Sequence, residues 1–147
     1  PYACLNEEIK RLIRECSRED VITAVRLTEE DSTKILTIIA DATMHSIPQD
    51  IIAGQVVEFS EGMLPTEDDQ ALENAIVTRL DSLGMKLVQN NWSEVRLIYS
   101  GHALLAAQIK MLVYRRLYLN TIDYGYFGKH GYRKIDIDFR TDLNLRG

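Results

Sequence analysis

A switch of hydrophobic period at Gly84 constrains the fold of this chain more than any other feature. Before it, Thr66-Glu67-Asp68-Asp69 supplies a helix-capping pattern, and Leu72, Ile76, Leu80 and Leu83 recur at helical spacing. Gly84 stands where helices commonly end. After it, 85–89 and 93–100 read as two strands joined around Asn90-Asn91, because asparagine tolerates the left-handed conformation of tight hairpins.

The same reading extends in both directions. Upstream, helices are expected over 7–16, where Ile9, Leu12, Ile13 and Cys16 share a face, and over 17–27. A third starts at Thr28-Glu29-Glu30-Asp31 and carries Ile35, Ile38, Ile39 and Ala42; a fourth runs from Pro48 through Ile51, Ile52, Val56 and Phe59. Downstream, 102–118 reads as a strong helix with Ser100 as its cap and Arg115 and Arg116 at its negative end. In 133–140, Arg133, Ile135, Ile137 and Phe139 alternate with Lys134, Asp136, Asp138 and Arg140, the period of a strand. The expectation is an α+β fold: N-terminal helices packed on a small antiparallel sheet formed mainly by the C-terminal half, from 85–89, 93–100 and 133–140. Its core would contain Leu72, Ile76, Leu80, Leu105, Ile109 and Leu112. At 147 residues, without a linker or internal repeat, the chain fits one domain, 1–147.

Charge narrows the function classes. Residues 115–147 hold seven basic side chains against four acidic ones, a net +3, and the chain total of −5 leaves −8 for the other 114 residues. Such a balance argues against coating nucleic acid with the whole surface, and its polarity would let identical copies pair. The two cysteines, Cys4 and Cys16, form no CxxC pair and no zinc spacing with histidine, which suggests a reduced, cytoplasmic setting. The first residues lack the basic and apolar runs of a signal peptide, and no apolar run approaches the roughly 20 residues that span a bilayer, so no membrane partner is expected.

The most distinctive local sequence is 123–134. Gly125, Gly128 and Gly131 recur every third residue, so the backbone can bend sharply and gather N–H groups, while Lys129, His130 and Arg133 add positive charge and Tyr126 a stacking face. A phosphate or carboxylate suits such a concavity; a glycine-bearing turn into the last strand is the plainer use of the same residues. Gly128-Lys129-His130-Gly131 resembles the GxxG loop of KH-type RNA-binding modules, but the likeness stops at four residues and precedes a strand rather than a helix. Asp136 and Asp138 share one strand face and could hold a hard divalent cation, although Lys134 and Arg140 flank them. Ser100-Gly101-His102 sets a hydroxyl near an imidazole where a helix cap is needed.

No Walker loop, dinucleotide fingerprint or HExxH helix is present, and no cofactor is implied. The first expectation is therefore a non-catalytic interaction or assembly protein, a homo-oligomer or a subunit of a larger particle such as a viral one, assembled inside the cell. The alternative is a binding module for a phosphate-bearing ligand, a nucleotide or single-stranded nucleic acid, at 124–134. A third is a small metal-dependent phosphoesterase using Asp136 and Asp138.

Overall fold

The computed structural model describes residues 11, 14, 34–43, 46–60, 64–138 and 142. The chain divides into two compact units, Pro1–Ser32 and Thr33–Gly147. In the first, the two described residues, Arg11 and Arg14, are helical. The rest of the helices expected over 7–16 and 17–27 lies outside the described residues.

The second unit is an α/β sheet structure, with elements in the order β1 Ile35–Ile39, β2 Gln55–Glu58, α1 Asp69–Val88, β3 Glu94–Tyr99, α2 Ala103–Leu117, β4 Ile122–Tyr126 and β5 Tyr132–Ile135. The strands lie in the order β2-β1-β3-β4-β5. β1 pairs parallel with β2 and with β3, β3 pairs parallel with β4, and only β5 runs antiparallel. This overturns the expected antiparallel sheet: the sheet is mostly parallel, and helices alternate with strands instead of preceding them.

The corrections have local causes. The stretch read as a helix around Ile35, Ile38 and Ile39 is strand β1, and its apolar run is what a parallel strand buried on both faces requires. The segment read as a helix from Pro48 is a 3-10 turn at Gln49–Ile51 followed by β2. Residues 85–88 belong to α1, so there is no hairpin at Asn90-Asn91. Gly84 sits inside the helix, where the added Cβ of a larger residue would lie 3.6 Å from Arg116 Nε of α2. Of the strand expected over 133–140, 133–135 belong to β5 and 136–138 lie outside it, while 139 and 140 are not among the described residues.

Other readings match the structure. Asp68 caps α1, its Oδ1 accepting from Gln70 N at 3.1 Å. β3 and α2 stand where alternating and helical patterns put them. Both helices cover one sheet face, where Leu36, Ile38, Val95 and Leu97 meet Leu83, Leu87, Leu105 and Ile109. Of the expected core, Leu105 and Ile109 are buried, while Ile76, Leu80 and Leu112 pack partly buried against it. Leu72 lines a groove between the helices, because α1 continues past Gly84 and its deepest side chains are Leu83 and Leu87.

On the opposite face, Ile39, Ile51, Ile98 and Tyr124 form a second cluster, joined by Tyr132. α2 is fixed to the sheet by one polar knot. Lys110 Nζ donates to Asp123 Oδ2 at 2.8 Å and to Thr121 Oγ1 at 2.9 Å, and Thr121 Oγ1 donates to Asp123 Oδ1 at 2.6 Å. No described helix is long and apolar enough to cross a membrane.

Candidate functional site

Strand pairing lines up one row of side chains across the carboxyl edge of the sheet. Ile39 is level with Glu58 and Ile98, and Ile98 with Tyr124. Just past the carboxyl ends of β2, β1 and β3 come Ser60, Asp41 and Ser100, and at the same end of β4 Tyr126 pairs with Tyr132 of β5. The row crosses the gap between β1 and β3, where the chain leaves β1 towards β2 on one side and later returns to build β3 and β4 on the other. In open parallel sheets such a reversal leaves a crevice at the strands' carboxyl ends, the usual ligand position in this architecture.

The edge is held by specific bonds. Asp41 N donates to Ser100 Oγ at 2.9 Å, and Ser100 is 1% exposed. Asp41 Oδ1 accepts from Thr43 N at 2.9 Å and from Thr43 Oγ1 at 2.6 Å. Partial burial pushes the Asp41 carboxyl upward, but the Thr43 bonds, the nearby Ser60 hydroxyl and the charge of His102 outweigh it and hold the group below its ordinary range. Gly101, with φ of 73°, lies so close that an added Cβ would stand 2.7 Å from Asp41 Cβ. A side chain there would be strained and would close the space between β1 and β3.

Two polar atoms of the row lack well-aligned partners. Ser60 is 4% exposed; its Oγ makes no well-aligned hydrogen bond, although it lies close enough to the Asp41 carboxylate to help lower its pKa. The Tyr132 hydroxyl is likewise shielded from solvent and unpaired, and burial, with the neighbouring Tyr126, pushes its pKa up. Buried polar atoms are nearly always paired, so these two stand out. Helix α2 begins at the same edge. His102 occupies its N-cap without a side-chain cap bond, so the first amides of the helix are not satisfied from that side chain.

The glycine segment joins this edge from β4. Gly125 lies within β4 opposite Arg133, and the rings of Tyr126 and Tyr132 meet at 5.4 Å between centroids, tilted by 55°. Residues 127–131 form the turn to β5: Phe127 N donates to Gly131 O at 2.8 Å, His130 N to Phe127 O at 3.2 Å and Gly131 N to Gly128 O at 2.9 Å. Gly128 and Gly131 adopt φ of 60° and 66°, so they serve the turn, and three of its amides are used inside it. Lys129, His130 and Arg133 project as exposed side chains, and Phe127 is 53% exposed. The structure therefore brings Tyr126, Phe127, Lys129 and His130 to the same edge as Asp41 and His102.

Asp136 and Asp138 lie at the other end of the sheet, beyond β5, bordering a cavity of about 260 Å³ with Glu94 and Asn120. Asn120 Nδ2 donates to Asp138 Oδ1 at 3.4 Å, and Asp138 N donates to Asp142 Oδ2 at 2.8 Å. Among the described residues, no three His, Cys, Asp or Glu side chains are grouped to hold a metal ion.

Sequence reasoning placed Ser100 and His102 at a helix cap and passed over Asp41 and Ser60. Ser100 does not cap α2; its hydroxyl accepts from Asp41 N across the sheet. The missed signal is the apolar run 35–40 ending in Asp41 and Thr43, a buried strand followed by a polar turn. No protein-family model, curated protein sequence or solved structure matches this chain.

Proposed function

We propose that the second unit is a binding module for a nucleotide, seated at the carboxyl edge of the sheet between β1 and β3. The observation that carries this reading is the row Ser60–Asp41–Ser100–Tyr126–Tyr132, with two shielded hydroxyls that make no well-aligned hydrogen bond, at the reversal of strand order. Each part of a nucleotide has a counterpart there. The open amino end of α2 and the positive charge of Lys129 and His130 suit phosphate. The Asp41 carboxylate suits ribose hydroxyls, and the exposed rings of Tyr126 and Phe127 suit a base. Such a ligand fits the cytoplasmic setting expected from the two cysteines.

The test is titration calorimetry of the full chain with nucleoside mono-, di- and triphosphates, a nucleoside and inorganic phosphate. A nucleotide is expected to bind, more tightly than its nucleoside, with affinity falling as salt rises. Ser60→Ala should weaken binding while costing the free protein little, since the hydroxyl it removes makes no well-aligned hydrogen bond. Absence of heat with every nucleotide, or affinity unchanged in both Ser60→Ala and Lys129→Ala, would refute the reading.

A further inference from the structure

The outer face of the helical layer carries a pattern that the ligand edge does not use. Core residues of α1 and α2 leave Val77, Met85 and Val88 of α1, with Leu104 and Met111 of α2, from 49% to 66% exposed. Between the helices runs a groove of about 380 Å³, floored by Leu72, Ile76 and Leu80 and rimmed by Asp69 and Glu73. Single exposed apolar residues are ordinary, but five on two adjoining helices form a patch of the sort that marks an interface.

Charge on the same face is polarised. Both helices follow a strand and lead to a parallel one, so they run side by side in the same direction, and Gly84 of α1 lies level with Leu112 and Arg116 of α2. The amino end of α1 carries Asp68, Asp69 and Glu73, all exposed; α2 has no acidic residue in its first turn, and its carboxyl end carries exposed Arg115 and Arg116. One pole of the face is thus negative, the other positive, with the apolar patch between them.

From this we infer that the α1–α2 face docks on the same face of a second copy of the chain, around a two-fold axis that lies in the face and is perpendicular to the diagonal from the amino end of α1 to the carboxyl end of α2. Rotation by half a turn lays apolar patch on apolar patch and brings the Asp69 and Glu73 pole of each copy against the Arg115 and Arg116 pole of the other, so both poles are neutralised at once. An isologous contact of this kind closes at two copies, because the face is consumed in making it. Helices of about 22 and 30 Å, spaced about 8–10 Å apart, present on the order of 500 Å² per copy, near the low end for a specific interface, and the dimer is accordingly weak. The ligand edge does not enter the argument, and the dimer stands or falls separately from it.

Sedimentation velocity of the full chain, from low micromolar to submillimolar concentration, tests this directly. The average mass should rise towards twice that of one chain and stop there. Leu104→Asp with Met111→Asp should hold the protein at one chain mass throughout, with its circular dichroism unchanged, because both side chains are exposed. Glu73→Lys or Arg115→Glu alone should each raise the dissociation constant about three- to tenfold, and the two together should restore it. The charge-reversal pair decides the matter even if the aspartate variant fails to fold. A single chain mass at every concentration, association beyond two copies, or a double charge reversal as weak as its parents would overturn the proposal.

Discussion

The backbone N–H of Asp41 donates to the hydroxyl of Ser100 at 2.9 Å, tying the end of β1 to the end of β3 where the strand order reverses. The bond extends the sheet's pairing beyond the last ladder position, so the crevice between the two strands has a fixed width. Removing the hydroxyl leaves a partly buried amide without that partner. Ser100→Ala should therefore lower the unfolding free energy by about 1–3 kcal/mol, read from urea unfolding at constant slope. A change of a few tenths would mean that water replaces the hydroxyl and that the crevice is wetter than the bond implies.

Gly84 supplies a prediction of the opposite sign. It lies within α1, and its added Cβ would meet Arg116 Nε at 3.6 Å and Leu112 Cδ1 at 3.8 Å, ordinary van der Waals contact. Alanine there needs no backbone change and loses less entropy on folding. Gly84→Ala should raise stability by about 0.5–1 kcal/mol, measured as a higher urea midpoint. A fall would show that Arg116 cannot yield the space.

The same glycine explains which parts of the fold were legible in the sequence. α2 could be read from its apolar spacing and its basic carboxyl end, although its expected cap was not the one used; α1 could be read only up to Gly84, where a residue that often ends helices instead sits close to a neighbouring one. β1 was hidden because Ile35, Ile38 and Ile39 satisfy a helical spacing as well as a buried strand, and only pairing with β2 and β3 decides between them. The site followed the strands. Tyr126, Lys129 and His130 stood out through their glycine neighbours, whereas Asp41 and Ser60 acquire meaning only when β1 and β2 pair parallel, so that both follow strand ends on one edge. Asp136 and Asp138 looked adjacent to the glycine segment in sequence, but the antiparallel run of β5 carries them to the opposite edge.

Asp41 predicts an acid limb. Its carboxyl is held below the ordinary value of 3.8 in the folded protein. A depressed carboxyl contributes stability that is present above the unfolded value and is lost as pH falls through the folded one. Asp41→Asn should thus be less stable than the parent at neutral pH, and the gap should close as pH falls below about 4. The comparison is the unfolding midpoint of both proteins across the acid range. A gap independent of pH would assign the cost of the substitution to shape instead of charge.

Tyr99 predicts an alkaline limb. The side chain points from β3 towards Asp123, the carboxylate already engaged by Lys110 and Thr121. Burial, and then the charge and hydrogen bond of Asp123, push the phenol from 10.0 up to about 12. A phenolate beside a fixed carboxylate would be a second negative charge in a half-buried place, so the folded state keeps the proton longer than the unfolded chain does. The stability this contributes is complete below the unfolded value of 10.0 and is lost as pH rises through about 12. Tyr99→Phe should show a flatter decline across that alkaline window. The phenolate absorbance of the parent minus that of the variant should titrate near the upper value. A difference titrating near 10.0 would place the hydroxyl in solvent, away from Asp123.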